Sequence, residues 1–112
     1  MINTFWAEPE WVSEESIQEL FNQCQYYERI ICGELKKKVL RYDNHLKPHQ
    51  RKKCSEPHCT RSQMVLYSNL EGVPVALVHQ YRRKDGTLGG SGRPDPKRLF
   101  VSGRVIAVRQ IS

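Results

Sequence analysis

The hydrophobic period of this chain changes along its length, from the period of a helix to the period of a β-strand. Ser13 is a predicted helix N-cap, and Glu14 and Glu15 follow in the first turn, where the helix dipole favours negative charge. Apolar side chains then recur every three or four residues, at Ile17, Leu20, Phe21, Cys24, Tyr27 and Ile31. An amphipathic helix must cover its apolar stripe, so the rest of the chain has to supply a matching surface.

The segments on either side of this predicted helix are less regular. Residues 1–12 contain both tryptophans and Pro9, and we predict an irregular arm whose aromatic rings pack on the domain. Gly33 is a natural end for the helix. Leu35, Val39 and Tyr42 nevertheless keep a helical spacing, which predicts a second or continued helix through about residue 42.

The second part of the chain alternates apolar and polar residues, as β-strands do. Strands are predicted at residues 64–68 and 73–83, with a turn at residues 69–72 between them. The two-residue turn Ser102-Gly103 predicts a hairpin of residues 99–101 with residues 104–109.

The predicted hairpin fixes which side chains face each other. The turn would place Phe100 opposite Val105 and Leu99 opposite Ile106. The common apolar face of the hairpin, which the helix stripe would cover, then consists of Leu99, Val101, Ile106 and Val108.

These elements predict an α+β fold, in which one or two N-terminal helices pack on a mostly antiparallel sheet of about four strands. With 112 residues, 38% of them hydrophobic, residues 1–112 form a predicted single domain. Two long basic loops are predicted at residues 43–61 and 84–97, the second of which starts with the turn signal Asp85-Gly86. The N-terminus lacks the pattern of a signal peptide and no segment has the apolar length of a membrane span, so we expect a cytoplasmic protein with no membrane partner.

Charge is segregated along the sequence. Residues 1–35 have a net charge of −6 and residues 36–112 a net charge of +12. Such a basic segment favours nucleic acid or another polyanion as partner, or an acidic protein surface. The glycines of residues 86–92 would let backbone N–H groups approach an anion. The cations predicted to contact nucleic acid are Arg51, Lys52, Lys53, Arg82, Arg83, Lys84, Arg93, Lys97 and Arg98.

Potential metal ligands are concentrated in the first basic loop. His45, His49, Cys54, His58 and Cys59 fall within fifteen residues. The spacing of His45, His49, Cys54 and Cys59 fits one tetrahedral zinc site, although the neighbouring lysines and arginine would repel the ion. A basic loop with incidental histidines and cysteines is the competing interpretation, and no other cofactor is expected.

One strand carries residues that could act on a phosphodiester. Alternation along residues 73–83 predicts His79, Tyr81 and Arg83 on one face. They would offer a general acid or base, a stacking ring and a phosphate clamp. The competing interpretation is an amphipathic strand edge. The sequence has no G-x-S-x-G, H-E-x-x-H or Cys-x-x-Cys motif, so cleavage of RNA without a metal is the enzymatic activity left open.

The predicted order of helices before an antiparallel sheet, in a small basic chain, resembles the RelE/ParE-like toxin fold. The resemblance covers topology and charge, without a motif that aligns residue by residue. It implies an RNA-cleaving or gyrase-directed toxin with His79, Tyr81, Arg83 and Arg93 on its sheet face.

Three functional hypotheses follow from the sequence. The first is a small intracellular protein that binds RNA or DNA through its two basic loops. The second is a metal-independent ribonuclease of the RelE/ParE-like toxin type. The third is a protein-interaction or inhibitor module, stabilised by zinc if the predicted ligands bind one, whose target is an acidic protein surface.

Overall fold

The computed structural model describes residues 8–54, 56–57, 59–90 and 92–109, apart from the side chains of residues 41–45, 51, 53 and 54. Nine elements follow one another in these ranges: β1 (Pro9–Trp11), α1 (Glu14–Gln23), α2 (Tyr26–Ile31), β2 (Lys36–His45), α3 (Pro48–Cys54), β3 (Arg61–Ser68), β4 (Pro74–Arg82), β5 (Asp95–Val101) and β6 (Arg104–Ala107). No described helix has the length and apolarity needed to cross a bilayer.

The strands form one mixed sheet in the order β1-β6-β5-β4-β3-β2. β1 runs parallel to β6, and the other neighbours are antiparallel. The predicted α+β class is confirmed. The sheet has six described strands rather than about four, because segments predicted as an arm and as a helix both join it.

The predicted N-terminal helix is two helices. Its start is as expected, since the Ser13 hydroxyl accepts a hydrogen bond of 3.1 Å from the Ser16 N–H. α1 stops at Gln23, and Gln25 adopts a left-handed conformation before α2. Ile17 and Phe21 are buried as predicted, but the break turns the next helix so that Tyr26 enters the core. Cys24 and Ile31 are therefore exposed.

The predicted continuation of the helix to residue 42 is replaced by strand β2. Gly33 has a φ of +81°, a conformation that ends a helix. After it, Lys37 pairs with Tyr67 and Val39 with Val65 of β3. The spacing of Leu35 and Val39, four residues apart, fits one face of a helix and also one face of a strand, and pairing with a neighbouring strand decides between them. The lysine-rich composition suits an edge strand, since charge discourages further strand pairing.

The predicted arm is partly a strand as well. Glu10 pairs with Ile106 and Trp11 with Ala107. Trp11 stays half-exposed, and the Arg109 guanidinium lies 5.0 Å from its ring centroid. Trp6, the other tryptophan of the predicted arm, lies outside the described residues.

The C-terminal hairpin has the predicted register. Phe100 pairs with Val105 and Leu99 with Ile106. The predicted apolar face joins the core under α1, where Leu99, Ile106 and Val108 are buried and Val101 packs against them.

The two predicted basic loops are more regular than expected. Within residues 43–61, Pro48–Cys54 form helix α3, with proline at the first helical position, where it costs no hydrogen bond. Within residues 84–97, Leu88 forms an antiparallel bridge with Arg82, the last residue of β4, so the chain turns back on β4 immediately after the strand ends. Strand β5 then begins at Asp95, earlier than predicted.

The two surfaces of the sheet differ at β4. We call the surface that contacts α1 and α2 the helix face; it carries the buried residues Ala76, Val78 and Gln80. The opposite surface, the second face, carries Leu77, His79 and Tyr81, which are half-buried. Alternation along β4 therefore places Gln80 on the helix face and His79 and Tyr81 on the second face.

Candidate nucleic-acid interface

A basic cavity of about 310 Å³ lies at the end of the β3–β4 pair. It is lined by Cys59, Arg61, Arg82, Arg83 and Lys84, and we call it the basic groove. Cys59 and Arg61 belong to the first predicted basic loop, Lys84 begins the second, and Arg82 and Arg83 end the predicted strand before it. The two basic segments of the sequence thus converge in space.

Strand register brings the groove cations together. Arg61 and Arg82 are cross-strand partners in the β3–β4 ladder. Like charges at directly opposed positions destabilise a strand pair. An anion bound between them would offset that repulsion, so this end of the sheet suits a phosphate group.

A buried carboxylate joins the two basic segments. The side chain of Glu56 is 0% exposed, and the Arg83 Nε lies 3.2 Å from both of its oxygens. The backbone N–H of Gly90 also donates to Glu56 Oε1, at 3.2 Å. The Arg83 side chain is 37% exposed, so one side of this ion pair stays in contact with solvent.

Gly89 makes room for that carboxylate. A Cβ atom at position 89 would overlap the carboxyl group of Glu56, so only glycine fits while Glu56 occupies this position. The Gly89 N–H donates to the Tyr81 carbonyl at 2.7 Å, which fixes the segment against β4. The glycines predicted to approach an anion therefore approach an internal one, Glu56.

The turn before Gly89 is also well ordered. The Arg83 N–H donates to the Thr87 carbonyl at 2.8 Å, and the Thr87 N–H and hydroxyl both donate to Asp85. The two hydrogen bonds from Thr87 hold the pKa of Asp85 below its ordinary value. The predicted Asp85-Gly86 turn is thus present, and it presents Lys84 to solvent.

The remaining predicted nucleic-acid-binding residues are distributed elsewhere. The Arg93 guanidinium lies 4.8 Å from the Tyr27 ring centroid, and Lys97 forms an ion pair of 2.9 Å with Asp95. Arg98 pairs with Leu77 on the second face. Lys52 is exposed on α3. The side chains of Arg51 and Lys53 lie outside the described part of the chain.

The predicted catalytic residues separate. His79 and Tyr81 lie together on the second face, with ring centroids 4.8 Å apart and edge-to-face geometry. Arg83 lies beyond the end of β4, where its guanidinium is held by Glu56. The sequence did not identify Ser62, whose Oγ lies 2.7 Å from His79 Nε2.

The surroundings of His79 favour the neutral form of its imidazole. Burial lowers the pKa of His79, the nearby Lys97 ammonium lowers it further, and Asp95 acts in the opposite direction. A neutral imidazole hydrogen-bonded to a hydroxyl can accept a proton. The chemistry available on the second face is therefore that of a general base.

The predicted zinc ligands are only partly described. His49 is exposed on α3, and Cys59 lines the basic groove. The side chains of His45 and Cys54 lie outside the described residues. Among the described side chains, no group of three or more His, Cys, Asp or Glu is arranged to hold a metal ion.

Sequence reasoning overlooked Glu56 and did not single out Gly89 among the glycines of residues 86–92. Residues 36–61 contain two acidic residues, Asp43 and Glu56, among many basic ones. This scarcity of acidic residues was the signal that could have identified Glu56. A carboxylate in a strongly basic segment is a candidate counterion for a nearby cation, because a charge that is buried requires a partner of opposite charge. Gly89 carried no separate signal among its neighbouring glycines.

Comparison of the chain with protein-family models, with curated proteins and with solved structures found no match. The resemblance to the RelE/ParE-like toxin fold therefore remains a prediction from topology and charge. Function has to be argued from the geometry of this chain alone.

Proposed function

We propose that the protein binds nucleic acid through the basic groove. The observation that carries the proposal is the convergence of the two basic segments, with Arg61, Arg82, Arg83 and Lys84 around one cavity. Among these residues, Arg83 forms an ion pair with the buried carboxylate of Glu56. A phosphate backbone supplies closely spaced negative charges that match such a cluster.

The ordering of the groove supports a specific interface over a purely solubilising charge. Before any ligand binds, Glu56 holds the Arg83 side chain, and hydrogen bonds within the turn at residues 83–87 fix the backbone that carries Lys84. A site ordered in advance loses less conformational entropy on binding. Charge that served only solubility would not require a buried counterion.

The test is binding of a fluorescently labelled 12-nucleotide single strand, followed by anisotropy over a series of salt concentrations. We expect the affinity to fall steeply with salt. The double variant R82E/K84E removes two groove cations and should reduce affinity by about tenfold or more, and reduce the salt slope by about 2.

The matched control is K36E/K38E, which changes the net charge equally at two exposed lysines of β2. We expect it to retain most of the affinity, because these lysines lie outside the lining of the groove. Equal losses in the two double variants, or an affinity indifferent to salt, would contradict the proposal.

A ribonuclease is the second candidate, and the Ser62–His79 hydrogen bond of 2.7 Å beside Tyr81 favours it. In this reaction neutral His79 would take the proton of an RNA 2′-hydroxyl, whose oxygen attacks the phosphorus atom and expels the 5′-oxygen. The leaving oxygen would take a proton from the Tyr81 phenol, leaving a cyclic phosphate. Lys97 would stabilise the negative charge of the transition state.

Cleavage of a labelled RNA tests this second candidate directly. H79A and Y81F should each slow cleavage by about 100-fold or more if the two residues transfer protons. Cleavage unchanged in both variants would remove them from the mechanism, and a wild-type protein that binds RNA without cutting it would leave binding as the function.

A further inference from the structure

A second cavity, of about 440 Å³, lies on the helix face beside the basic groove. Its walls are helix α2, the sheet and the glycine-rich segment after β4. Arg82 lines both this cavity and the basic groove, so the two sites adjoin. We call the second cavity the tyrosine cleft, after Tyr27 and Tyr67 in its lining.

The lining combines aromatic, amide and cationic groups. Tyr27 and Tyr67 provide rings, Gln80 a primary amide, and Arg82 and Lys37 positive charge. A nucleotide needs these three features together: a flat apolar surface for the base, donors and acceptors for its edge, and a cation for its phosphate. The volume of the cleft lies within the range of small-molecule sites.

Hydrogen bonds fix the amide at the base of the cleft. The Tyr67 hydroxyl donates to Gln80 Oε1 at 3.5 Å, and Gln80 Nε2 donates to Gln63 Oε1 at 3.3 Å. Gln80 is 2% exposed and Tyr67 4% exposed, so this row is held inside the sheet. Tyr67 and Gln80, the members of this row that line the cavity, therefore form the floor of the cleft.

One wall of the cleft is braced from outside. The Arg93 guanidinium stacks near the Tyr27 ring, at 4.8 Å from its centroid. Gly92 and Pro94, on either side of Arg93, line the cleft themselves. The glycine-rich segment and α2 therefore hold Tyr27 in position.

We propose that the tyrosine cleft receives an unpaired nucleobase of a single strand whose phosphates lie in the basic groove. The inference rests on the proposed function and adds a preference for single strands. A duplex keeps its bases stacked and paired, so it would engage the basic groove alone. Arg82, common to both sites, would contact the phosphate between them.

Four ligands measured on the same protein test this inference: a 12-nucleotide single strand, the matching duplex, an abasic strand of equal length and a nucleoside monophosphate. Stacking of one base on a tyrosine should make the single strand bind about tenfold more tightly than the duplex or the abasic strand. The monophosphate should bind much more weakly than the strand, because it lacks the groove contacts.

Variants at Tyr27 separate the cleft from the groove. Y27A should reduce affinity for the single strand about tenfold and leave the abasic strand unaffected, whereas Y27F keeps the ring and should bind as the wild type does. A 2-aminopurine base in the strand gives a second measurement on the unaltered protein. Its fluorescence should be quenched on binding if it stacks on a tyrosine.

The outcomes distinguish this inference from the proposed function. Salt-dependent binding with equal affinities for strand, duplex and abasic strand would overturn the cleft assignment while the groove proposal stands. Absence of binding to all four ligands would overturn both. A monophosphate that binds as tightly as the strand would contradict the inference, because the cleft would then bind a free nucleotide and not a base of a polymer.

Discussion

The two faces of the sheet contribute differently to the stability of the protein and to its candidate sites. On the helix face, the core of Ile17, Phe21 and their neighbours gives way toward the basic end to Gln80 and then Arg82. On the second face, β4 presents only half-buried side chains, and His79 and Tyr81 sit among them. The helix face thus carries both the main core and the tyrosine cleft.

This difference shows how one strand can serve two sites. Residues 79 and 81 point away from the helices, whereas residues 80 and 82 point toward them, because side chains alternate along a strand. The sequence drew attention to His79 and Tyr81, which are chemically conspicuous. The tyrosine cleft is lined instead by their neighbours Gln80 and Arg82, and Arg82 also lines the basic groove.

The largest expected loss of stability comes from truncating a buried side chain on the helix face, and the same kind of truncation on the second face should cost less. Phe21 is fully buried, so F21A should reduce the free energy of unfolding by about 3–5 kcal/mol. Leu66 is half-buried on the second face, and L66A should cost about 1–2 kcal/mol. Urea unfolding measures both values. Equal losses would mean that the second face is packed as tightly as the helix face.

Removal of Glu56 should have the next largest effect. E56A removes the partner of Arg83 and leaves the Gly90 N–H without its acceptor, so we expect a loss of about 2–3 kcal/mol. Because the Arg83 side chain is 37% exposed, water can solvate its charge when Glu56 is removed, which limits the loss of stability. E56Q keeps the shape and should lose less. Urea unfolding again measures stability, and a neutral E56A would show that the two basic segments hold together without this carboxylate.

A double-mutant cycle tests the close approach of Gly89. G89A should destabilise the wild type by about 1–3 kcal/mol, because its Cβ overlaps the Glu56 carboxyl group. In the E56A background that carboxyl is absent, so the same substitution should cost much less. Additive costs in the cycle would place the strain of G89A elsewhere.

The elements that could be predicted are those whose structure is determined by residues close together in the sequence. The Ser13 cap, the Asp85-Gly86 turn and the Ser102-Gly103 hairpin each rest on a few adjacent residues. Strands β1 and β2 depend on distant partners, Val105 to Ala107 for one and β3 for the other. Their patterns are also compatible with an arm or a helix, and tertiary pairing overrides such local preferences.

The site shows the same division. Positive charge near residues 82–84 was visible in the sequence, whereas its convergence with Arg61 depends on the β3–β4 register. Glu56 is remote from Arg83 along the chain, and no local pattern predicts their pairing. The tyrosine cleft draws its lining from α2, three strands and a turn, so no single stretch of sequence carried its signal.

The smallest expected effect concerns His79 and the pH dependence of stability. Its pKa in the folded protein lies below the ordinary value, chiefly because of burial and then because of Lys97. The unfolded chain therefore takes up a proton first as the pH falls. Stability from this residue is present above about pH 6.5 and is lost as the pH falls toward the folded pKa.

H79Q should remove that dependence, so the stability difference between pH 7.5 and pH 5.5 should be smaller in H79Q than in the wild type. H49Q is the control, because His49 is exposed on α3 and should leave the pH response of the wild type intact. Urea unfolding at the two pH values gives the comparison. A wild-type response unchanged by H79Q would mean that His79 is as well hydrated in the folded sheet as in the unfolded chain, and that its pKa does not link pH to folding.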